Sequence, residues 1–234
     1  HTLMTYSPAQ AGIMTGEDYF TSIGLIGGAT GMAPIISADT TIPAVDAYCS
    51  GLTVAITDSV IKYTQTAAAN ANRQMSWSLG ATYDKVFGLC YFQMGTSLDL
   101  QGFMVSENDY SGSQADNYVQ DAYTFWNYPY GGYDKMRLYK RVGVTWTFIA
   151  EDTTICGGDD VPYSHAYGLA IYCEKGNPGV QKCFMKDGST SQWIQIWSTA
   201  DGAFETGFQS FSITTGYNQT NVGRMISPFY VWGS

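Results

Sequence analysis

The chain alternates apolar and polar residues over short stretches, which is the pattern of half-buried β-strands. Met75, Trp77 and Leu79 alternate with polar residues, and a similar alternation runs from Met136 to Phe148. Apolar runs recur at residues 52–56, 60–63, 86–94, 98–105, 167–172, 180–185, 192–197, 208–213 and 226–232. Glycine, proline, asparagine and aspartate separate many of these runs. The pattern predicts about ten to twelve strands and almost no helix.

Short strands separated by turns indicate an all-β fold, and 234 residues suffice for one large domain. We predict a single two-sheet β-sandwich of jelly-roll type. The first fifty residues are rich in glycine, alanine and threonine, and three prolines interrupt them. We expect residues 1–50 to form an irregular or extended N-terminal arm or cap, and residues 51–234 to form the sandwich.

Composition limits the classes of function. The chain carries 11 basic and 20 acidic residues, a net charge of -9, and only 13% of its residues are charged. Nucleic-acid binding needs clustered lysine and arginine, so we expect no nucleic-acid partner. No apolar run reaches the roughly 18 residues of a membrane span. We also expect the chain to fold without a cofactor.

The chain begins with His1, which predicts removal of a secretory signal peptide and an extracellular location. The amine and imidazole of His1, with the imidazole of His165, form the ligand set of a copper histidine brace. Through these residues the chain resembles the lytic polysaccharide monooxygenases, which are secreted β-sandwiches beginning with histidine. The resemblance implies oxidative polysaccharide cleavage at copper, with Tyr167 or Tyr230 as the axial residue. The alternative is that His1 only marks where processing ended.

Oxygen ligands for calcium occur in an acidic loop at residues 151–160. Asp152, Asp159 and Asp160 lie beside a Gly-Gly pair, whose freedom lets carbonyl groups turn toward a cation. Their spacing is not that of a helix–loop–helix calcium loop. The hypothesis is therefore a calcium site, and its alternative is a solvated acidic loop.

Two modifications are predicted from cysteine and asparagine. Cys173 and Cys183 flank a turn signal at residues 176–179, so we expect a disulfide across a hairpin. The pairing of the other three cysteines stays open, namely Cys49, Cys90 and Cys156. Asn218 begins the sequon Asn-Gln-Thr, which is an N-glycosylation site in a glycosylating secretory pathway.

Aromatic residues crowd the second half of residues 107–132, where we predict a long loop. Tyr123, Trp126, Tyr128 and Tyr130 have flat rings that suit stacking on sugars. The same rings are typical anchors of a subunit interface, or they pack within the monomer. The aromatic loop therefore indicates a lectin-like carbohydrate-binding module as one possible function.

No coherent catalytic set emerges, since a Gly-x-Ser-x-Gly elbow is missing and every glutamate lies near a predicted turn or strand end. An enzyme is uncertain and a non-enzyme is favoured. Low charge and an apolar N-terminal segment favour a secreted structural subunit of an extracellular fibre, tubule or surface assembly. Its arm would enter a sheet of the next copy by strand exchange. The inserted residues would be Ile23, Leu25, Ile26, Ile35 and Ile36. The alternative is the carbohydrate-binding module with a glycan partner, and the copper enzyme is the third hypothesis.

Overall fold

The computed structural model describes residues 16–49, 52–57, 60–65, 72–93, 100–109, 121–130, 133–143, 145–152, 166–186, 193–202, 204–216 and 222–234. A short helix, α1, spans Gly16–Ser22. The strands that follow are β1 Ala33–Ala38, β2 Ala47–Tyr48, β3 Leu52–Thr57, β4 Val60–Gln65, β5 Asn72–Tyr83, β6 Lys85–Gln93, β7 Leu100–Ser106, β8 Ala122–Tyr130, β9 Tyr133–Val142, β10 Thr145–Asp152, β11 Ala166–Glu174, β12 Gly179–Lys186, β13 Trp193–Asp201, β14 Phe208–Gly216 and β15 Val222–Gly233.

The strands form two sheets, and each strand pairs antiparallel with its neighbours. In sheet A the order is β13-β12-β11-β6-β15-β4-β3, and β1 pairs with the second half of β15. In sheet B the order is β10-β9-β8-β7-β14-β5-β2. This confirms the predicted all-β sandwich of jelly-roll type.

The main core lies between the two sheets, because alternate residues of each strand point to one face. Aromatic rings from the two sheets meet there. The ring of Trp77 in β5 lies 4.8 Å from that of Phe229 in β15, and the ring of Phe92 in β6 lies 5.2 Å from that of Phe103 in β7. The alternating residues predicted in β5 therefore belong to the core.

The segment expected to act as a detachable arm folds onto its own chain. Phe20 of α1 is fully buried on the outer face of sheet A, with ring contacts of 4.6 to 5.0 Å to Phe87, Phe184 and Trp193. Leu25 and Ile26 are buried in the same cluster. The segment buries this apolar surface within one chain, without the entropy that association costs.

The remaining residues proposed for strand exchange also have places in this fold. Ile35 and Ile36 lie on β1 and are half-buried against the main core, and β1 pairs with β15 of the same chain. Ile23, just after α1, is exposed. The prediction that these residues enter a neighbouring copy was therefore wrong. Within the range 1–50, the described residues supply a helix and two strands to the sandwich.

The predicted hairpin around residues 176–179 is present, but its register separates the two cysteines. Cys173 of β11 lies opposite Gln181 of β12, and Cys183 lies opposite Ile171. The cysteines are thus diagonal neighbours, which is too far for the Cβ separation of a disulfide. Both are free thiols, so the disulfide prediction was wrong.

The aromatic region predicted as a loop is largely a strand. Residues 122–130 form β8, which pairs with β7 on one side and β9 on the other. Its described side chains alternate between the core, which holds Tyr123 and Phe125, and the outer face of sheet B, which holds Trp126. No helix among the described residues is long and apolar enough to cross a membrane.

Candidate functional site

The outer faces of the two sheets differ in chemistry. The outer face of sheet A is apolar and is covered by α1 and the residues after it. The outer face of sheet B is polar over β5 and β14 and aromatic over β8, β9 and β10. Partly exposed aromatic residues beside polar ones are typical of binding sites, so the outer face of sheet B is the candidate surface.

The polar half of this face is a buried hydrogen-bond network. Gln74 of β5 donates from Nε2 to Ser76 Oγ and to Ser212 Oγ of β14, each at 2.7 Å. The two serine oxygens are also 2.7 Å apart. All three residues are fully buried, so this half holds β5 and β14 together rather than presenting groups to a ligand.

The aromatic half is a cluster of four rings, which we call the aromatic face. Its members come from three neighbouring strands: Trp126 of β8, Tyr139 of β9, and Trp146 and Phe148 of β10. Trp126 and Trp146 are stacked, with ring centroids 5.1 Å apart and an angle of 28°. Tyr139 stands nearly perpendicular to both rings of β10, at 87° to Trp146 and 77° to Phe148. Such contacts fix ring orientations.

Two arginines of β9 lie against these rings. The guanidinium carbon of Arg141 is 4.9 Å from the centre of the Trp146 ring, and that of Arg137 is 5.9 Å from the centre of Phe148. Arg141 also donates from Nε to the carbonyl oxygen of Gly143, at 3.0 Å. Cation–π contacts of this kind hold both ring and guanidinium in place.

A β-bulge brings an acidic partner to the same face. The register between β10 and β9 shifts between Phe148 and Ala150, which places Glu151 opposite Arg137. Arg137 donates from Nε and Nη2 to Glu151 Oε2, each at 2.5 Å, and from Nη1 to the Tyr139 hydroxyl at 3.1 Å. Burial lowers the pKa of Arg137, but the bond to Glu151 and the charges of Tyr139 and Glu151 raise it by more. The guanidinium therefore stays charged.

The aromatic face lies at one edge of sheet B, because β10 is the last strand of that sheet among the described residues. Phe148 is 51% exposed. Trp146 is half-buried, while Trp126 and Arg141 are buried beneath the surface. The face thus combines an accessible rim with a rigid base.

The structure places two of the four rings predicted to bind sugar, Tyr123 and Trp126, on opposite faces of β8. Tyr123 points into the sandwich, where its hydroxyl donates to Asp201 Oδ2 at 3.1 Å. Lys140 donates to the other oxygen of that carboxylate at 2.9 Å. Trp126 lies on the aromatic face. Tyr128 and Tyr130 belong to β8, and their side chains lie outside the described residues.

Sequence reasoning missed three members of the aromatic face, Tyr139, Trp146 and Phe148. The alternation of residues 136–148 contained the signal, since Trp146 and Phe148 are two positions apart on one strand and must share a face. That pattern predicts strands but does not say which of their faces meets solvent. The two rings lie on the outer face, opposite Arg141 and Tyr139 of β9.

The predicted metal ligands and modified residues fall mostly outside the described part of the chain. This applies to His1, His165, Asp159, Asp160, Cys156 and Asn218. Asp152 ends β10. Tyr230, a candidate axial residue, donates a hydrogen bond to the Asp39 carboxylate. Within the described ranges, no group of three or more histidine, cysteine, aspartate or glutamate residues is placed to hold a metal.

Comparisons with known proteins bear on the fold. No family model matches the chain, and no curated protein matches its sequence. The VIP36 exoplasmic/lumenal domain, solved with Ca2+ and Man3GlcNAc bound, matches at 10% identity and a TM-score of 0.59, over 87% of this chain and 90% of that one. The lectin UEA-II complexed with galactose matches at 8% identity and a TM-score of 0.55, over 85% of this chain and 97% of that one. A legume lectin-like domain from Entamoeba histolytica matches at 7% identity and a TM-score of 0.57, over 86% of this chain and 98% of that one.

These likenesses agree with a two-sheet β-sandwich of jelly-roll type. The prediction of a fibre or tubule subunit was wrong for two reasons. The structures named above are lectin-like sandwiches, and β1 of the segment meant for exchange already pairs with β15 of its own sheet.

Proposed function

We propose that this chain is a carbohydrate-binding module that binds glycans on the aromatic face of sheet B. The observation that carries the proposal is the cluster of Trp126, Tyr139, Trp146 and Phe148 at an open sheet edge. The lectin-type fold supports it, since VIP36 was solved with Man3GlcNAc bound and UEA-II with galactose.

The chemistry of the face suits a sugar. A sugar ring has an apolar C–H face and a rim of hydroxyl groups, so it stacks on an aromatic ring and bonds to polar groups at the margin. Phe148 supplies an exposed ring, and the Arg137–Glu151 pair beside it supplies a donor and an acceptor of fixed orientation. Because these groups are held before a ligand arrives, binding costs less ordering entropy.

The test is a glycan microarray that carries both branched terminal epitopes and linear polysaccharides. We expect the intact chain to bind a defined subset, and Phe148→Ala to weaken binding at least about tenfold, the loss typical of a central aromatic anchor. Tyr48→Ala is the matched control, because Tyr48 is 45% exposed on β2 at the opposite edge of the same sheet. Circular dichroism checks that both variants are folded. No binding to any glycan, or equal losses in both variants, would contradict the proposal.

Calcium binding at the acidic loop of residues 151–160 is a separate prediction from glycan binding on the aromatic face. VIP36 was solved with Ca2+, but the described residues of this chain include no fitting cluster, and Asp159 and Asp160 lie outside them. The aromatic face is built from ring and guanidinium contacts, so we expect binding there to persist in EDTA. Loss of binding in EDTA, restored by calcium, would support the predicted Asp152, Asp159 and Asp160 site instead. The extracellular location also remains a prediction, which mass spectrometry of secreted protein from the source cells would test.

A further inference from the structure

Two aromatic rings occupy successive outward positions of one edge strand. Trp146 and Phe148 are two positions apart on β10, which separates their Cα atoms by roughly 6.6 Å along the strand. Both rings contact the ring of Tyr139, at 6.1 Å and 5.7 Å between centroids. The two residues therefore follow one another along β10 and are here called the row, and Tyr139 of the neighbouring strand β9 contacts both of their rings. Successive units of an extended sugar chain have a comparable spacing.

Each ring of the row has its own guanidinium. Arg141 lies against Trp146 and Arg137 lies against Phe148, so a unit of one ring and one arginine occurs twice. The first unit is held by the bond from Arg141 to Gly143, and the second by the Arg137–Glu151 pair. A repeated binding unit fits a ligand that itself repeats.

The row is exposed at its Phe148 end. Phe148 is the most exposed large apolar residue of the described chain, and Trp146 is half-buried. An internal segment of a long chain can pass over such a row, whereas a pocket for a terminal sugar needs walls.

From this geometry we infer that the aromatic face binds internal segments of a linear polysaccharide, with successive sugar units over Trp146 and Phe148. The inference rests on the proposed function and adds the class of ligand. It requires that affinity grow with chain length until both rings are occupied. It also requires that the ends of the sugar chain be unnecessary for binding.

The test uses oligosaccharides of cellulose, mannan, xylan, chitin and alginate, from the monosaccharide to the hexasaccharide. The series measured by calorimetry is the one whose polysaccharide binds on the array. We expect affinity to rise at least about tenfold between the monosaccharide and the trisaccharide and then to level off. A hexasaccharide blocked at both ends should bind as well as the unblocked one. Trp146→Ala and Phe148→Ala should each remove part of this rise, and Tyr48→Ala should leave it unchanged.

The outcomes separate the inference from the proposed function. Binding only to branched terminal epitopes, equal affinity for monosaccharide and hexasaccharide, or loss of binding on blocking the ends would overturn the linear-chain inference and leave carbohydrate binding intact. Failure to bind any glycan would overturn both. Trp146→Phe keeps a ring at that position, so retention of the length dependence in this variant shows that the Ala substitution acts through the ring and not through unfolding.

Discussion

The ring of Phe211 in β14 packs directly against Gly88 in β6, so that a methyl group at position 88 would overlap the ring. Phe211 has little room to move, because its ring also contacts Phe103 at 5.0 Å and Phe229 at 5.8 Å. The ring of Phe211 thus fills the space that a side chain at position 88 would occupy. Glycine at this position is therefore a packing requirement of the sandwich.

Gly88→Ala should destabilise the protein by about 1–3 kcal/mol, because overpacking forces the surrounding rings out of place. Gly28→Ala is the control, since an added methyl group there would meet no atom within 4 Å. Urea unfolding followed by tryptophan fluorescence measures both variants. Equal stability of the two variants would contradict the close packing of Gly88 and Phe211.

Phe20→Ala should lower the free energy of unfolding by about 3–5 kcal/mol, the usual loss when a buried phenylalanine is truncated to alanine. Phe20 is fully buried between α1 and sheet A. Ile23→Ala in the same segment is the control, because Ile23 is 48% exposed. Thermal unfolding distinguishes the cases. If Phe20→Ala had no effect, the segment would be detachable, as the strand-exchange hypothesis required.

The four described cysteines should resist thiol reagents in the native protein, since all are buried. Burial raises the pKa of Cys90, Cys173 and Cys183, and the nearby Cys173 raises that of Cys183 further. Native thiols therefore stay protonated above about pH 9, where an unfolded thiol ionises. The contribution of these protonated thiols to the free energy of unfolding is complete below about pH 9 and is lost as the pH rises above it.

Alkylation followed by peptide mapping tests the thiols, with the urea-unfolded protein as the reference. Labelling of Cys173 or Cys183 should appear only after unfolding, and the free energy of unfolding should fall from pH 9 upward. Rapid labelling of either residue in the native protein would show that the thiols are not buried. Recovery of a peptide pair linked by sulfur would restore the disulfide hypothesis.

Glu151→Gln should weaken glycan binding several-fold, because Arg137 then loses the charge that orients it beside Phe148. The stability loss should be about 1 kcal/mol or less, as for other partly exposed ion pairs. Asp84→Asn breaks the Lys175–Asp84 pair between the β5–β6 and β11–β12 turns, and serves as the control. Calorimetry with the bound glycan measures both variants. An unchanged affinity in Glu151→Gln would show that the pair does not support the site.

Much of the sandwich follows from local pattern. The alternation around Trp77 and the turn signals between strands define half-buried strands, because the side-chain period of a strand is two residues. Local pattern gave the wrong prediction for the aromatic region at residues 122–130. Pro129 and the Gly-Gly pair after Tyr130 are typical of loops, so a loop was predicted there. In the structure Pro129 lies near the β8–β9 turn, and pairing with two neighbouring strands makes the rest of the region a strand.

The site was less accessible to sequence analysis than the fold. Alternation shows that Trp146 and Phe148 share a face, but not whether that face meets the other sheet or solvent. The answer depends on how the two sheets pack face to face, which brings together strands that are far apart in sequence. The cysteine error has a similar origin, because a diagonal and a direct pair differ by only two residues in register.

The bulge in β10 has one more effect besides turning Glu151 toward Arg137. An edge strand presents unpaired backbone groups, and a regular, apolar edge recruits strands from other molecules into aggregates. The register shift after Phe148 interrupts the edge of sheet B, and the charge of Glu151 follows it. The same irregularity that completes the aromatic face therefore also interrupts the strand edge onto which another molecule could add, and we expect it to limit aggregation through β10.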